Sequence, residues 1–113
     1  MTVNQKIITA LQPLRLPITP DFFGSGEKEY ITFNYADDRA KNFGDDMPLN
    51  VVAYMQVHYF LPIEKDYLYN KKEIRKLLFA AGFTYPEVTE QIEDKTTRHL
   101  IFECEIENDE ELL

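Results

Sequence analysis

The sequence is poor in the residues that support cross-links and membrane insertion. Its 113 residues include one cysteine, Cys104, and no tryptophan. A lone cysteine excludes an internal disulfide. No stretch has the ~20 consecutive apolar residues of a membrane span, and none resembles a signal peptide. We therefore predict a protein of a reducing cytosol that has no membrane association.

Basic residues are also scarce. Twelve Lys and Arg stand against 20 Asp and Glu, for a net charge of −8. Six acids and no bases fall within residues 103–113, so the other 14 acids and 12 bases leave the rest of the chain at −2. Duplex DNA binding needs several cations that face phosphates. Specific nucleic-acid binding is therefore not expected.

The chain is rich in apolar and aromatic residues. Hydrophobic residues make up 44% of it, and there are seven Tyr and eight Phe. This is enough for one packed core, with aromatic residues left over for a contact surface. We predict a single domain over residues 1–106, followed by a flexible acidic tail over residues 107–113.

Two segments have apolar residues at helical spacing. The first follows a possible cap at Thr2 or Asn4 and ends near Pro13. Its apolar residues are Val3, Ile7, Ile8, Leu11 and Leu14. The second follows a possible cap at Asp66 and ends at Gly82. Its stripe comprises Tyr67, Ile74, Leu77, Leu78 and Ala81.

Alternating patterns predict the strands. Residues 30–35 and 49–61 alternate, residues 88–92 and 98–106 form a predicted antiparallel hairpin, and Ile18 with Phe22 and Phe23 suggests an edge strand. The polar segment 36–48 is predicted to be a long exposed loop. Together these elements predict an α+β domain, with a mixed or antiparallel sheet of four to five strands and two main helices on one face.

No residue pattern supports catalysis or a cofactor. A thiolate nucleophile needs a base within hydrogen-bonding distance, but strand alternation places Cys104 and His99 on opposite faces. Cys104 is therefore predicted to be a core residue. Nothing else in the chain combines a nucleophile, a base and oxyanion donors, so we predict no enzyme activity and no cofactor.

Metal binding is not predicted either. Four acids lie in the predicted loop, at Asp37, Asp38, Asp45 and Asp46, but they lack the spacing of a calcium-binding loop. His58 has no second His or Cys at a ligand spacing in its strand. It is predicted to be a half-buried strand residue.

Two features predict contacts between subunits. Residues 49–61 place apolar side chains on both strand faces, including Tyr54 and Phe60 on the second one, which two short helices cannot cover. A neighbouring subunit is the preferred cover, and loops of the same chain are the alternative. The outer face of the second helix is basic and is predicted to meet an acidic tail from the same or a neighbouring copy. Its basic residues are Lys65, Lys71, Lys72, Arg75 and Lys76.

Four segments resemble small proteins from the tail-assembly gene region of long-tailed bacteriophages and prophages. They are EYITFNYADDRA at residues 29–40, MQVHYFLP at 55–62, IRKLLFAAGFTYPEVTE at 74–90, and TRHLIFECEIE at 97–107. The order of helices and strands is also similar to the tail terminator and tail completion fold.

That resemblance implies a structural role in the virion. Proteins of this kind assemble in the host cytoplasm, cap the tail tube as a ring, commonly a hexamer, and join the tail to the head connector. DNA passes through such a ring, and acidic residues suit this passage. By analogy, Asp37, Asp38, Arg39, Asp45 and Asp46 are expected at a surface that faces the tube or the ring.

Two other functions remain open at this stage. One is a head-completion or tail-assembly factor from the same gene neighbourhood, which would differ only in its partner. The other is a small regulatory protein whose acidic tail mimics nucleic acid and occupies a basic cleft.

Overall fold

The structure, a computed structural model, describes residues 2–21, 24, 26–44 and 47–107, and for residues 37–44 and 47–51 only the backbone. Its elements are α1 (Val3–Leu11), a 3₁₀ turn (Gln12–Leu14), β1 (Ile18–Pro20), β2 (Tyr30–Gly44), β3 (Met47–Pro62), α2 (Leu68–Ala80), β4 (Glu87–Glu93) and β5 (Thr97–Glu107). The sheet order is β1-β2-β3-β5-β4. Only β1 and β2 run parallel. The predicted α+β domain is thus confirmed, and its sheet, predicted to have four to five strands, is mixed and has five.

Helix α1 begins with a capping box. The Thr2 hydroxyl accepts a hydrogen bond from the Gln5 backbone N–H at 3.1 Å, and the Gln5 side chain accepts one from the Thr2 N–H at 2.8 Å. These bonds satisfy two donors that a helix start leaves unpaired. The apolar stripe is buried through Val3, Ile7 and Leu11, as predicted.

Helix α2 carries its predicted stripe and ends as predicted. Ile74 and Leu78 are buried, and Asp66 accepts a hydrogen bond from the Leu68 N–H at 3.0 Å, although the residue at the cap position is Tyr67. At the other end Gly82 has φ +104°. The N–H groups of Gly82 and Phe83 donate to carbonyl oxygens of the last helical turn. This arrangement is a Schellman motif, which needs a left-handed residue.

The β4–β5 hairpin is confirmed, and its turn contains two residues with left-handed backbone. Asp94 and Lys95 both have positive φ, at 51° and 60°. The Thr96 N–H donates to the Glu93 carbonyl oxygen at 3.1 Å. Two central residues with positive φ make a type I′ turn, whose twist matches that of the flanking strands.

The prediction of a long loop over residues 36–48 is wrong. Strand β2 runs on to Gly44, and β3 already begins at Met47. Their pairing continues across a bulge between Tyr35 and Asp37 to the pair Gly44↔Met47. The composition of the segment is polar, so it lacks the alternation that marks a half-buried strand.

This extension forms a projecting two-stranded arm, described over residues 39–44 and 47–52. Among the described residues, β5 pairs with β3 only as far as Val52, and β1 pairs with β2 only over residues 31–33. No third described strand pairs with the rest of the arm. The protein is accordingly elongated, with extents of 54 × 25 × 24 Å.

One hydrophobic core joins both helices to one face of the sheet. Alternate residues of β2, β3 and β5 enter it with α1 and α2; they include Ile31, Phe33, Ala53, Met55, Val57, Tyr59, Leu61, Leu100, Phe102, Cys104 and Ile106. The hydroxyl of Tyr59, within this core, donates to Glu29 and accepts a hydrogen bond from the Asn70 amide at 2.8 Å. Of the described helices, none is long and apolar enough to cross a membrane.

The left-handed backbone at Gly82 generates a stability prediction. A Cβ at this position would lie 3.6 Å from the Ile106 side chain, an ordinary contact, so the cost of Gly82→Ala comes from its φ of +104°. We expect a loss of about 1–2 kcal/mol in the free energy of unfolding, measured by urea denaturation. Gly82→Asn should lose less, because asparagine tolerates positive φ better. Equal losses for the two variants would contradict this explanation.

Candidate functional site on the open face of the sheet

The face of the sheet opposite the helices, here called the open face, carries a mixed polar and aromatic surface. It is formed by the residues that alternate with the core residues. They are Tyr30, Thr32 and Asn34 on β2, Tyr54, Gln56, His58 and Phe60 on β3, Glu87, Thr89, Gln91 and Glu93 on β4, and His99, Ile101, Glu103 and Glu105 on β5. No described helix covers this face.

A row of stacked rings crosses three strands at one end of the open face. Tyr30 and Phe60 stack with their ring centroids 4.8 Å apart, and Phe60 and His99 stack at 4.0 Å. The three residues are cross-strand neighbours, since Tyr30 pairs with Phe60 and Phe60 pairs with His99. Stacked cross-strand pairs stabilise a sheet and fix its register. The rings cover one another, which leaves His99 buried although it lies on the open face.

A chain of hydrogen bonds runs beside the rings. Glu93 Oε1 lies 2.7 Å from His99 Nδ1, and His99 Nε2 lies 2.8 Å from His58 Nδ1. His58 Nε2 lies 2.8 Å from Asn34 Oδ1, and Gln91 approaches His99 Nδ1 at 3.1 Å. If both His99 nitrogens donate and His58 donates to Asn34, every contact along the chain from Glu93 to Asn34 is satisfied.

The electrostatics of this chain disfavour the protonated form of His58. Burial lowers the pKa of His58, and the nearby His99 lowers it further, while Glu93 acts in the opposite direction. The hydrogen bond from His99 holds the pKa of Glu93 below its usual value. Two positive rings in direct contact would repel each other. Within the described residues, no group of three or more His, Cys, Asp or Glu is placed to hold a metal ion.

Sequence reasoning placed His58 and His99 correctly on their strands but did not bring them together. They belong to β3 and β5, which are separated in the chain by α2 and β4. Register joins His58 to Ile101 and Phe60 to His99, so the two histidines are diagonal neighbours. For this contact, the sequence indicated only that the side chain of each histidine points away from the core.

Cys104 lies in the core, as predicted, and His99 points to the opposite face. Only 6% of Cys104 is exposed. Burial, with a smaller effect from Glu105, raises the pKa of the thiol to about 12. A thiol of this kind is a poor nucleophile at neutral pH.

The outer surface of α2 forms a second candidate surface, here called the α2 cationic face. It comprises Lys72, Arg75, Lys76 and Phe79, and Phe79 is 58% exposed. Arg75 lies over the ring of Tyr85 at 5.8 Å, and the Phe79 ring meets Tyr85 edge to face at 5.8 Å. The sequence predicted the three cations but missed the two aromatic residues. An exposed aromatic pair beside arginine is typical of contact surfaces between proteins.

The cations of this face have no acidic partners within the part of the chain that the structure describes. Lys65 and Lys71, which the sequence grouped with them, pair instead with Glu29 and Glu90. Among the described side chains, no carboxylate pairs with any of the three cations of the α2 cationic face. The Nε atom of Arg75 is also buried and has no hydrogen-bond acceptor in the described part of the chain.

An acidic cleft lies at the other end of the open face from the rings. It is lined by Ala36, Tyr54, Thr84, Tyr85, Glu87, Glu103 and Glu105, together with Met55 and Cys104. Glu87 and Glu103 are direct cross-strand partners. No described side chain forms an ion pair with the three glutamates. Like charges placed opposite each other destabilise a sheet, so this cleft favours a cationic partner.

The remaining predicted contact residues divide between these surfaces and the arm. Tyr54 lies in the acidic cleft, and Phe60 lies in the ring row. Asp37 and Asp38 lie on β2, just before the arm, and Arg39 forms the first pair of the arm with Val52; only their backbone is described. Asp45 and Asp46 lie outside the described residues.

The buried thiol generates the first prediction for this region. We expect the native protein to react with a neutral thiol reagent at pH 8 at least about tenfold more slowly than the same chain in urea, because so little thiolate is present. Absorbance of the released chromophore measures both rates. Equal rates would contradict the burial of Cys104.

The histidine pair generates a pH prediction. The pKa of His58 is lower in the folded chain than in the unfolded chain, where it is about 6.5. Below that pH the unfolded chain therefore binds more protons than the folded chain. The free energy of unfolding consequently falls as the pH falls. Between pH 7 and pH 5.5, urea denaturation should show a loss of unfolding free energy that is smaller in His58→Gln. The window lies above the range in which Glu93 titrates, so its carboxylate stays charged. Parallel pH profiles for wild type and variant would contradict the prediction.

Comparison with models of known protein families finds no match to this chain, and comparison with curated proteins finds no similar sequence.

Proposed function

We propose that this protein is a structural virion protein, a tail terminator that caps the tail tube of a long-tailed phage as an oligomeric ring and joins the tail to the head. Four segments of the sequence resemble proteins of that group. The proposed partners are further copies of the chain, six in a ring, together with the tail tube protein and the head connector. Its place is the virion tail, after assembly in the cytoplasm of the host bacterium.

The single observation that carries the proposal is the projecting arm. A two-stranded ribbon without a third strand is at best marginally stable in water, so the arm is expected to gain stability against another protein. Its backbone extends the subunit along one axis, which contributes to the 54 Å length. An arm of this kind can reach along a tube or across to a neighbouring subunit.

The open face supports the same proposal independently. The described helices cover one face of the sheet, and the opposite face presents carboxylates that no described side chain pairs. A sheet face that keeps unneutralised charge at one end is suited to association with a surface of opposite charge. A capping ring requires repeated contacts between identical subunits, and it requires no reaction chemistry.

Removing the arm tests the function. In the variant, residues 40–51 are replaced by Asn-Gly, so that Arg39 and Val52 flank a two-residue turn. The five-stranded part of the sheet keeps its pairing, and the thermal midpoint should therefore stay within a few degrees of the wild type. Electron microscopy should show wild-type protein at the ends of purified tail tubes and the variant absent from them.

The matched control is Lys95→Glu, in the β4–β5 turn away from the arm, which should leave capping unchanged. A wild-type chain that does not bind tube ends would overturn the terminator function. Wild-type binding to the head connector without binding to tubes would instead identify a head-completion factor.

A further inference from the structure

We propose that copies of this chain associate head to tail, with the α2 cationic face of one copy seated on the acidic cleft of the next. The inference rests on the proposed function, which requires self-association, and it names the two surfaces that meet. The molecule that occupies the acidic cleft is a second copy of this chain.

The α2 cationic face supplies one half of the contact. Three cations lie within little more than one turn, at Lys72, Arg75 and Lys76, and none has a carboxylate partner among the described side chains. Phe79 and the neighbouring Tyr85 add exposed apolar area at the C-terminal end of this face.

The acidic cleft supplies the other half. Glu87 and Glu103 stand side by side on paired strands, and Glu105 follows two residues along β5. The described part of the chain places no cation within ion-pairing distance of these glutamates. Three cations of the helix thus match three carboxylates of the cleft, and their contact would relieve repulsion that the isolated subunit retains.

The cations and the carboxylates belong to different layers of the same subunit, and Tyr85, which contacts Arg75 and also lines the acidic cleft, borders both surfaces. Helix α2 packs on the core face of the sheet through Ile74 and Leu78. Glu103 and Glu105 alternate with core residues of β5 and therefore lie on the open face. A contact that joins one surface to a different surface on the next copy is heterologous, and repetition of it closes a ring or extends a filament.

The docked helix would also add a helical layer to the face of the sheet that the subunit's own helices leave uncovered. In one copy, helices cover a single face of the sheet; in the assembly, α2 of the neighbour would cover the acidic end of the other face. Both faces of the sheet would then carry helices, which is a common stable arrangement. The ring row at the opposite end is already satisfied by its own stacking and hydrogen bonds, so the contact needs only the acidic end.

Charge reversal tests the contact with the full chain. The first variant carries Lys72→Glu and Lys76→Glu, and the second carries Glu87→Lys and Glu103→Lys. Analytical ultracentrifugation should show the wild type self-associating at micromolar concentration and each variant weakened at least about tenfold. An equimolar mixture of the two variants should associate again, with the two variants alternating, because each helix face then meets a cleft of opposite charge on the other variant. The chain that carries all four substitutions should associate with itself again.

Matched controls separate these effects from net charge and from folding. Two double variants make the same charge changes away from both surfaces and should leave association unchanged. One carries Lys28→Glu and Lys95→Glu, and the other carries Glu27→Lys and Glu64→Lys. Circular dichroism should show that all variants fold. Because the mixture and the four-substitution chain restore association, a folding defect in one variant cannot imitate the result.

Several outcomes would overturn the inference. They are a wild type that stays monomeric at about 100 μM, variants that associate like the wild type, or a mixture that stays unassociated. The acidic tail is the alternative partner of the cations, and a chain that ends at Glu107 tests it. If this shortened chain loses association while the cleft variant keeps it, the contact belongs to the tail. Head-to-tail association by a wild type that ignores tube ends would uphold the inference and overturn the terminator function.

Discussion

Strand alternation sends one set of side chains into the core and the other to an uncovered face, and this one-sided burial governs the rest of the structure. Both helices pack on the same side, where they complete a core that includes Phe33, Tyr59 and Phe102. The chain has no further helix among its described residues with which to cover the other side. Whatever stabilises the open face must come from its own side chains or from another molecule.

The side chains of the open face are stabilised in different ways at its two ends. At one end, stacked rings and the chain from Glu93 through His99 and His58 satisfy one another, so the surface is stable when exposed. At the other end, Glu87 and Glu103 face each other without a cation from the described residues. Unpaired charge on the open face and unpaired charge of the opposite sign on α2 are the physical basis of the proposed assembly.

The sequence predicted most of the elements because their signals are local. The cap at Thr2, predicted there or at Asn4, the stripe of α2, its end at Gly82 and the hairpin around Asp94 each depend on residues a few positions apart. The arm was missed because residues 36–48 are polar in composition and carry no alternating pattern of apolar residues. The contact between His58 and His99 was missed for another reason: it depends on the register of two strands that are separated by a helix and another strand.

The central claim is that the acidic end of the open face is covered by α2 of a neighbouring copy. Electron cryomicroscopy of the assembled protein measures this most directly, because it locates the layer that lies against β4 and β5. The account predicts density for a helix of the next subunit, with Lys76 and Arg75 directed toward Glu103 and Glu105. An assembly in which that end of the sheet faces solvent, or faces a sheet instead of a helix, would contradict it.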